Sequence, residues 1–271
     1  MNIHGKTALV LGAAKGIGKH LALALAAAGA KVAVTYYDWP EEARQMQAEF
    51  AALGYDYLPV KVDLRQAGEI AGLFAQIAAR FGSLDILINN IERGGMPIVH
   101  GPYTPEQWDL EMETTLKAKW FVFNQALPLL KSSGDGIAIN FSSIAAIVGR
   151  SGPASLIFND GYSAANRAVS SFTETWARQG APQVRVNEVM LGFFETRHAA
   201  GTRGWSLLSR AEQQAIINHT LLGRTGKMED IIKTVFFLIE DAPFMTGAVI
   251  RLDGGYTLGA DLVAPMPRGI L

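Results

Sequence analysis

Residues 7–18 read Thr7-Ala8-Leu9-Val10-Leu11-Gly12-Ala13-Ala14-Lys15-Gly16-Ile17-Gly18. A short apolar run, dense enough for a buried strand, passes into Gly-x-x-x-Gly-x-Gly and then into an Ala/Leu-rich stretch, 17–28, that stops at Gly29. Glycines at that spacing allow a tight turn, and the helix that follows offers unpaired N–H groups and the positive end of its dipole. Two readings stay open at this point. The loop is a sharp strand-to-helix turn, or it seats an anionic group such as a pyrophosphate at Gly12, Gly16, Ile17 and Gly18.

The pattern repeats outward from this stretch. Strand-like runs at 31–35, 57–62, 84–89, 136–141, 184–189 and 248–252 alternate with helical stretches at 41–53, 66–81, 105–130, 162–179 and 229–239. The 105–130 stretch holds one long helix or two. The strands are apolar throughout rather than alternating, as expected when helices cover both faces of a parallel sheet. The expected fold is α/β: a doubly wound, parallel, seven-stranded, Rossmann-like sheet. No linker or repeat interrupts the chain, so 1–271 reads as a single domain. Within it, 193–224 reads as a substrate lid with His198 and His219; its aromatic group Phe193, Phe194 and Trp205 is either part of that lid or core.

Composition narrows the function. The 271 residues carry 24 Lys+Arg against 25 Asp+Glu, which argues against nucleic-acid binding. There is no cysteine, so disulfide scaffolds, thiolate metal sites and a Cys nucleophile are excluded. The five histidines are scattered without metal-ligand spacing, and no Gly-x-Ser-x-Gly elbow supports a hydrolase triad. No apolar run reaches membrane-spanning length, and Met1 to Lys19 lacks the order of a secretory signal. A soluble, cytoplasmic protein acting on a small molecule is the expectation.

Six landmarks in order carry a family resemblance: the 12–18 loop; Val62-Asp63-Leu64; Asn89-Asn90-Ile91-Glu92; Asn140-Phe141-Ser142-Ser143; Tyr162-Ser163-Ala164-Ala165-Asn166; and Leu191-Gly192-Phe193-Phe194-Glu195-Thr196. Arg251-Leu252-Asp253-Gly254-Gly255 closes the series. Over residues 4–256 the chain resembles the short-chain dehydrogenase/reductase family. The resemblance implies a nicotinamide cofactor and hydride transfer to or from a carbonyl or alcohol carbon. It implies cofactor contacts from Gly12, Lys15, Gly16, Ile17, Gly18, Tyr36, Asp63, Leu64, Asn90, Asn166, Phe194 and Thr196, with Asp63 at the adenine. A homo-oligomer, tetramer or dimer, is also implied, packed through helices bearing Trp120, Phe121 and Phe123; burial in the monomer core is the other reading of those three aromatics.

Cofactor choice turns on the end of the second strand. A carboxylate there bonds the ribose 2′-OH of NAD; this chain has Tyr36 and Tyr37, with Asp38 next. Together with Lys15 beside the second glycine, this points to NADP, with NAD as the alternative.

In the family, a Tyr exchanges the proton, a Ser holds the substrate oxygen, a Lys lowers the Tyr pKa and an Asn supports the proton relay. The resemblance places the first two at Tyr162 and Ser143. The Lys position is Asn166 and the Asn position is Thr115. A phenol without that lysine still donates a proton but is a poor base near pH 7. The expected activity is therefore slow and biased towards reduction. The alternative is a non-catalytic nicotinamide-nucleotide-binding sensor or scaffold. Other departures are Glu92 in place of a glycine and extra residues at 149–160, read either as a surface insertion or as an added pocket wall.

Overall fold

The computed structural model describes residues 1–91, 104–194, 205, 208–261, 263–266 and 269. Strands β1 (Thr7–Val10), β2 (Lys31–Tyr36), β3 (Tyr57–Lys61), β4 (Ile86–Asn89), β5 (Gly136–Ser143), β6 (Val184–Leu191) and β7 (Val249–Leu252) form one sheet in the order β3-β2-β1-β4-β5-β6-β7. Every neighbouring pair is parallel, with Leu9 opposite Leu87 and Asn89 opposite Asn140. The sheet is the Rossmann-like one expected, and the chain makes a single domain around it.

Both faces are covered, which is why β1, β4 and β5 are buried at every residue. On one face, α1 (Gly16–Ala27), α2 (Pro40–Ala52) and α9 (Met228–Phe236) pack Leu21, Leu25, Phe50, Ile231 and Val235 against Val10, Val32 and Ile88. On the other, α3 (Ala67–Phe81), α5 (Ala118–Ser132) and α7 (Asp160–Gly180) pack Leu73, Val122, Phe123 and Trp176 against Leu9, Leu87 and Ala138. The edges fit their composition: β3 carries Pro59, tolerated only where the ladder ends.

The 105–130 stretch is two helices with a seam. α4 (Pro105–Glu111) begins with a Thr104/Gln107 capping box and runs through a π-helical turn, Met112–Lys117, into α5. Of the aromatics on this stretch, Phe123 belongs to the core, its ring stacked 4.3 Å from that of Trp176. Trp120 is exposed and Phe121 half-buried. After β6, the chain forms α8 (Arg210–His219), opened by a Ser209/Glu212 capping box. A short α6 (Ala145–Val148) and a 3₁₀ turn, Gly152–Leu156, lead into α7.

Sheet order reverses between β1 and β4, one turning the chain outward to β2 and the other towards β5. A crevice opens beyond the carboxyl ends of the strands at such a switch point.

Candidate active site

The glycine loop sits at this crevice. Thr35 on β2 holds it: Gly12 N–H donates to Thr35 Oγ1 at 3.1 Å and Ala13 N–H to the Thr35 carbonyl at 2.8 Å. Gly12 and Gly16 have positive φ, which side chains resist. A Cβ on Gly18 would lie 2.3 Å from the Gly12 carbonyl oxygen and 3.0 Å from Asn90 Nδ2. The backbone is thus folded onto itself just where α1 begins, leaving a side-chain-free cradle at a helix N-terminus. That is a fit for a pyrophosphate.

Further along the same sheet edge lie Tyr36 and the pair Asp63 and Arg65. The Arg65 guanidinium donates to both carboxylate oxygens of Asp63, at 2.7–3.1 Å, and holds that carboxyl below its ordinary range. Leu64 is buried beside them. Arg65 also lies over the Tyr37 ring, 5.7 Å from its centroid. Lys15 lies over the Trp39 ring with its ammonium 3.6 Å from Glu42. The end of β2 is therefore bordered by two cations and two tyrosines, each cation having an acidic neighbour.

At the other end of the crevice, one cleft brings together Ile17, Asn90, Thr115, Ser143, Tyr162, Asn166 and Phe194. β5 delivers Ser143 at its last residue, where its Oγ accepts from Ala145 N–H at 3.2 Å. α7, capped by the Asn159 side chain on Tyr162 N–H, delivers Tyr162 and, one turn on, Asn166. The Asn166 amide nitrogen donates to the Tyr162 carbonyl at 2.9 Å, so one of its two N–H donors is used within the helix. Thr115 comes from the π turn, and its hydroxyl donates to the Glu111 carboxylate. Thr196 lies outside the described residues, as do Glu92 and His198.

The 149–160 segment contributes to this cleft. Its Phe158 lines the wall and stacks on Phe193 with centroids 5.6 Å apart. The segment is tied down by Ala154 N–H donating to Tyr256 Oη at 2.9 Å. Trp205 and Tyr256 pack on Phe193 from behind, so the cleft has an aromatic wall.

Besides Arg65, three buried charged residues in or near the cleft were not singled out from the sequence. Lys119, lining the cleft, is 2% exposed, and its ammonium donates to the Ile91 carbonyl. Glu111 is buried on the same helical run. Glu188 on β6 is fully buried and accepts from Ser142, from Ser170 at 3.1 Å and from Thr173 at 3.3 Å. Burial raises its pKa, against those hydroxyls and the charge of Lys119. A donor chain, Asn89 to Asn140 to Thr173, ends on this carboxyl. Among the described residues no cluster of His, Asp and Glu is arranged to hold a metal ion, and no helix is long and apolar enough to cross a membrane.

Known proteins agree with this architecture. The family described as Enoyl-(Acyl carrier protein) reductase matches residues 12–257. The chain is 32% identical over 254 residues to the 3-oxoacyl-(acyl-carrier-protein) reductase FabG of Staphylococcus aureus (strain Mu50), covering 92% of this chain and 97% of the relative. It is 32% identical over 262 residues to the short chain dehydrogenase/reductase nsrJ of Aspergillus novofumigatus, covering 93% and 96%. Among solved structures, one described as a short-chain alcohol dehydrogenase from Sinorhizobium meliloti 1021 superposes with a TM-score of 0.81 at 29% identity, covering 94% and 98%. The chain belongs to the short-chain dehydrogenase/reductase family of NAD(P)-dependent oxidoreductases.

Proposed function

We propose that this protein reduces a carbonyl group on a partly apolar small molecule with NADPH, Tyr162 donating the proton and Ser143 orienting the carbonyl oxygen. The observation that carries this reading is that Ser143 and Tyr162, from different elements, line one cleft with Ile17 of the glycine loop and an aromatic wall. A structural role would not require both hydroxyls at the mouth of a cofactor crevice. The enzymes among its relatives weigh against a non-catalytic sensor, and the 3-oxoacyl-(acyl-carrier-protein) reductases support an oxoacyl-type substrate.

The 12–18 loop and the α1 N-terminus would hold the pyrophosphate, Asp63 and Leu64 the adenine, Lys15 and Tyr36 the 2′-phosphate-bearing ribose. Ile17, Asn90, Asn166, Phe194 and Thr196 would hold the nicotinamide half. When bound, the nicotinamide supplies the hydride. The chain's own part is acid catalysis and exclusion of water. Ser143 and Tyr162 hydrogen-bond the carbonyl oxygen, and the Tyr162 phenol gives up its proton as charge develops there, an effect worth roughly 10²–10⁴-fold. Phe158, Phe193 and Phe194 keep the cleft apolar, which strengthens these hydrogen bonds. Residues 193–224 act as the lid, Trp205 packing behind Phe193.

NADP over NAD is supported by the absence of a carboxylate at Tyr36 and by the cations Lys15 and Arg65 at that edge. α7 presents Asn166 where a cation would favour the phenolate, so alcohol oxidation near pH 7 is the slower direction. Exposed Trp120 on α5 is the anchor proposed for a homo-oligomer. The test is to measure NADPH-dependent reduction and NADP-dependent oxidation in the wild type and in Asn166→Lys. The variant should gain more in oxidation than in reduction. A wild type fast in both directions overturns the reduction bias, and absence of turnover across a broad carbonyl panel overturns the reductase reading.

A further inference from the structure

α7 brings only Tyr162 and Asn166 to the cleft lining, and neither is a cation. Among the described residues that line the cleft, the cationic one is Lys119, from α5. Three features distinguish it from a lysine that merely packs. First, it is 2% exposed, whereas Lys117, two residues earlier, is exposed. Holding an ammonium out of water costs several kcal/mol unless polar partners compensate. Second, it belongs to a column. Glu111, Thr115 and Lys119 recur at four-residue intervals, each no more than 2% exposed, with Thr115 Oγ1 donating to Glu111. In a regular α-helix four residues overshoot a turn by about 40°, so positions eight apart diverge. The π turn at Met112–Lys117 lies between them and takes up that drift. Third, the ammonium is anchored on the Ile91 carbonyl just beyond β4, at the mouth of the crevice.

We propose that Lys119, from α5, partly makes up for the absence of a cation on α7, leaving the bias towards reduction in place, and that it acts through Tyr162 by stabilising the phenolate left when the phenol protonates the substrate oxygen. Glu111 and Thr115 are its positioning partners. The phenolate then regains its proton from solvent, so no group is consumed. This rests on the reductase reading above. The titratable groups around Lys119 are Glu188 on β6, which its charge influences, Tyr162 on α7, which lines the same cleft, and Glu111 in the same buried column. The charge of Lys119 acts to lower the Glu188 pKa, against the burial that raises it.

The experiment compares Lys119→Met, Lys119→Gln, Lys119→Arg and the double variant Lys119→Met/Asn166→Lys with the wild type. Readouts are kcat and KM for carbonyl reduction, its pH profile, NADPH affinity and Tm. Lys119→Gln keeps a donor for the Ile91 carbonyl, so it covers the case in which the methionine variant folds poorly. Both neutral variants should lose at least tenfold in kcat with KM for NADPH within threefold. The acidic limb of their pH profile in the oxidation direction, where Tyr162 must be deprotonated, should move to higher pH. Arginine should keep most of the activity, and Asn166→Lys should restore kcat in the methionine background. Unchanged kcat in the neutral variants overturns the proposal. So does a loss that follows Tm and is not rescued by Asn166→Lys, which would make Lys119 a structural partner of Glu111 or Glu188. If neither the wild type nor Asn166→Lys turns over a carbonyl although NADPH binds, the reductase reading itself fails, and this proposal with it.

Discussion

A methyl group placed on Gly18 has nowhere to go. Its Cβ would stand 2.3 Å from the Gly12 carbonyl oxygen, 2.9 Å from the Gly12 carbonyl carbon and 3.0 Å from Asn90 Nδ2. Non-bonded heavy atoms pack at roughly 3.5 Å, so the two turns of the loop must separate by about 1 Å. Gly12 cannot absorb this alone, since its N–H is held by Thr35 and a Cβ of its own would already lie 3.0 Å from the Asn90 carbonyl. Gly18→Ala should therefore cost about 1–3 kcal/mol in stability as an overpacked site. It should cost a comparable amount in binding. A displacement of about 1 Å in a site that positions a charged group is worth roughly 10²-fold, or about 2.7 kcal/mol in affinity. The assay is NADPH titration by cofactor fluorescence, with Tm measured alongside. Gly72→Ala is the control: it lies in α3, where a Cβ meets nothing within 4 Å. It should raise stability by about 1 kcal/mol and leave NADPH affinity alone. An NADPH Kd in Gly18→Ala within threefold of wild type would refute the argument that the 12–18 loop seats the pyrophosphate.

Lys15→Ala should lower the preference for NADPH over NADH by roughly tenfold, since one screened cation contributes little more against a phosphate; the ratio of kcat/KM values measures it. Glu188→Gln tests the buried carboxyl through pH. Burial raises the folded-state pKa above the unfolded value, so the folded state binds the extra proton. The stability this gives is complete below the ordinary glutamate range and is lost as pH rises through the folded pKa. The Tm gain of Glu188→Gln over wild type should therefore grow between pH 5 and pH 8, and a constant difference would contradict the assignment. Arg185→Met removes three hydrogen bonds of 2.7–3.1 Å to the carbonyls of Leu238, Ile239 and Ala242, at the end of the helical run from α9. About 2–3 kcal/mol of stability should go with them, lowering Tm by roughly 5–8 °C.

The architecture was legible because doubly covered strands are predominantly apolar, without alternation, and several of their helices stop at glycines. Both signals are local. Ser143 and Tyr162 were legible as members of ordered motifs. Lys119 was not, for a reason of phase: the π turn breaks the 3.6-residue period, so Lys117 and Lys119 look alike in sequence while one is exposed and the other buried. Glu188 was hidden differently. In Val184–Leu191 a lone carboxylate among valines reads as facing water, and only tertiary packing brings Ser142, Ser170 and Thr173 around it. The 149–160 segment was ambiguous because its contacts, Phe158 on Phe193 and Ala154 on Tyr256, are to residues up to 102 positions away.

The donor chain from Asn89 through Asn140 and Thr173 to Glu188 crosses β4, β5, α7 and β6. Each side chain in it hands a proton-bearing group to the next, so removing any one strands a neighbour in a dry interior, where an unpaired group costs about 1–3 kcal/mol. Single replacements by apolar residues at these four positions should each be harmful, unlike Glu188→Gln, which keeps an acceptor, while coordinated replacement of all four by apolar residues of matching volume should be tolerated. For anyone engineering this scaffold, or tracing how it diverged, the four positions are one inheritable unit. The sum of four single-substitution effects will overstate the cost of changing them together.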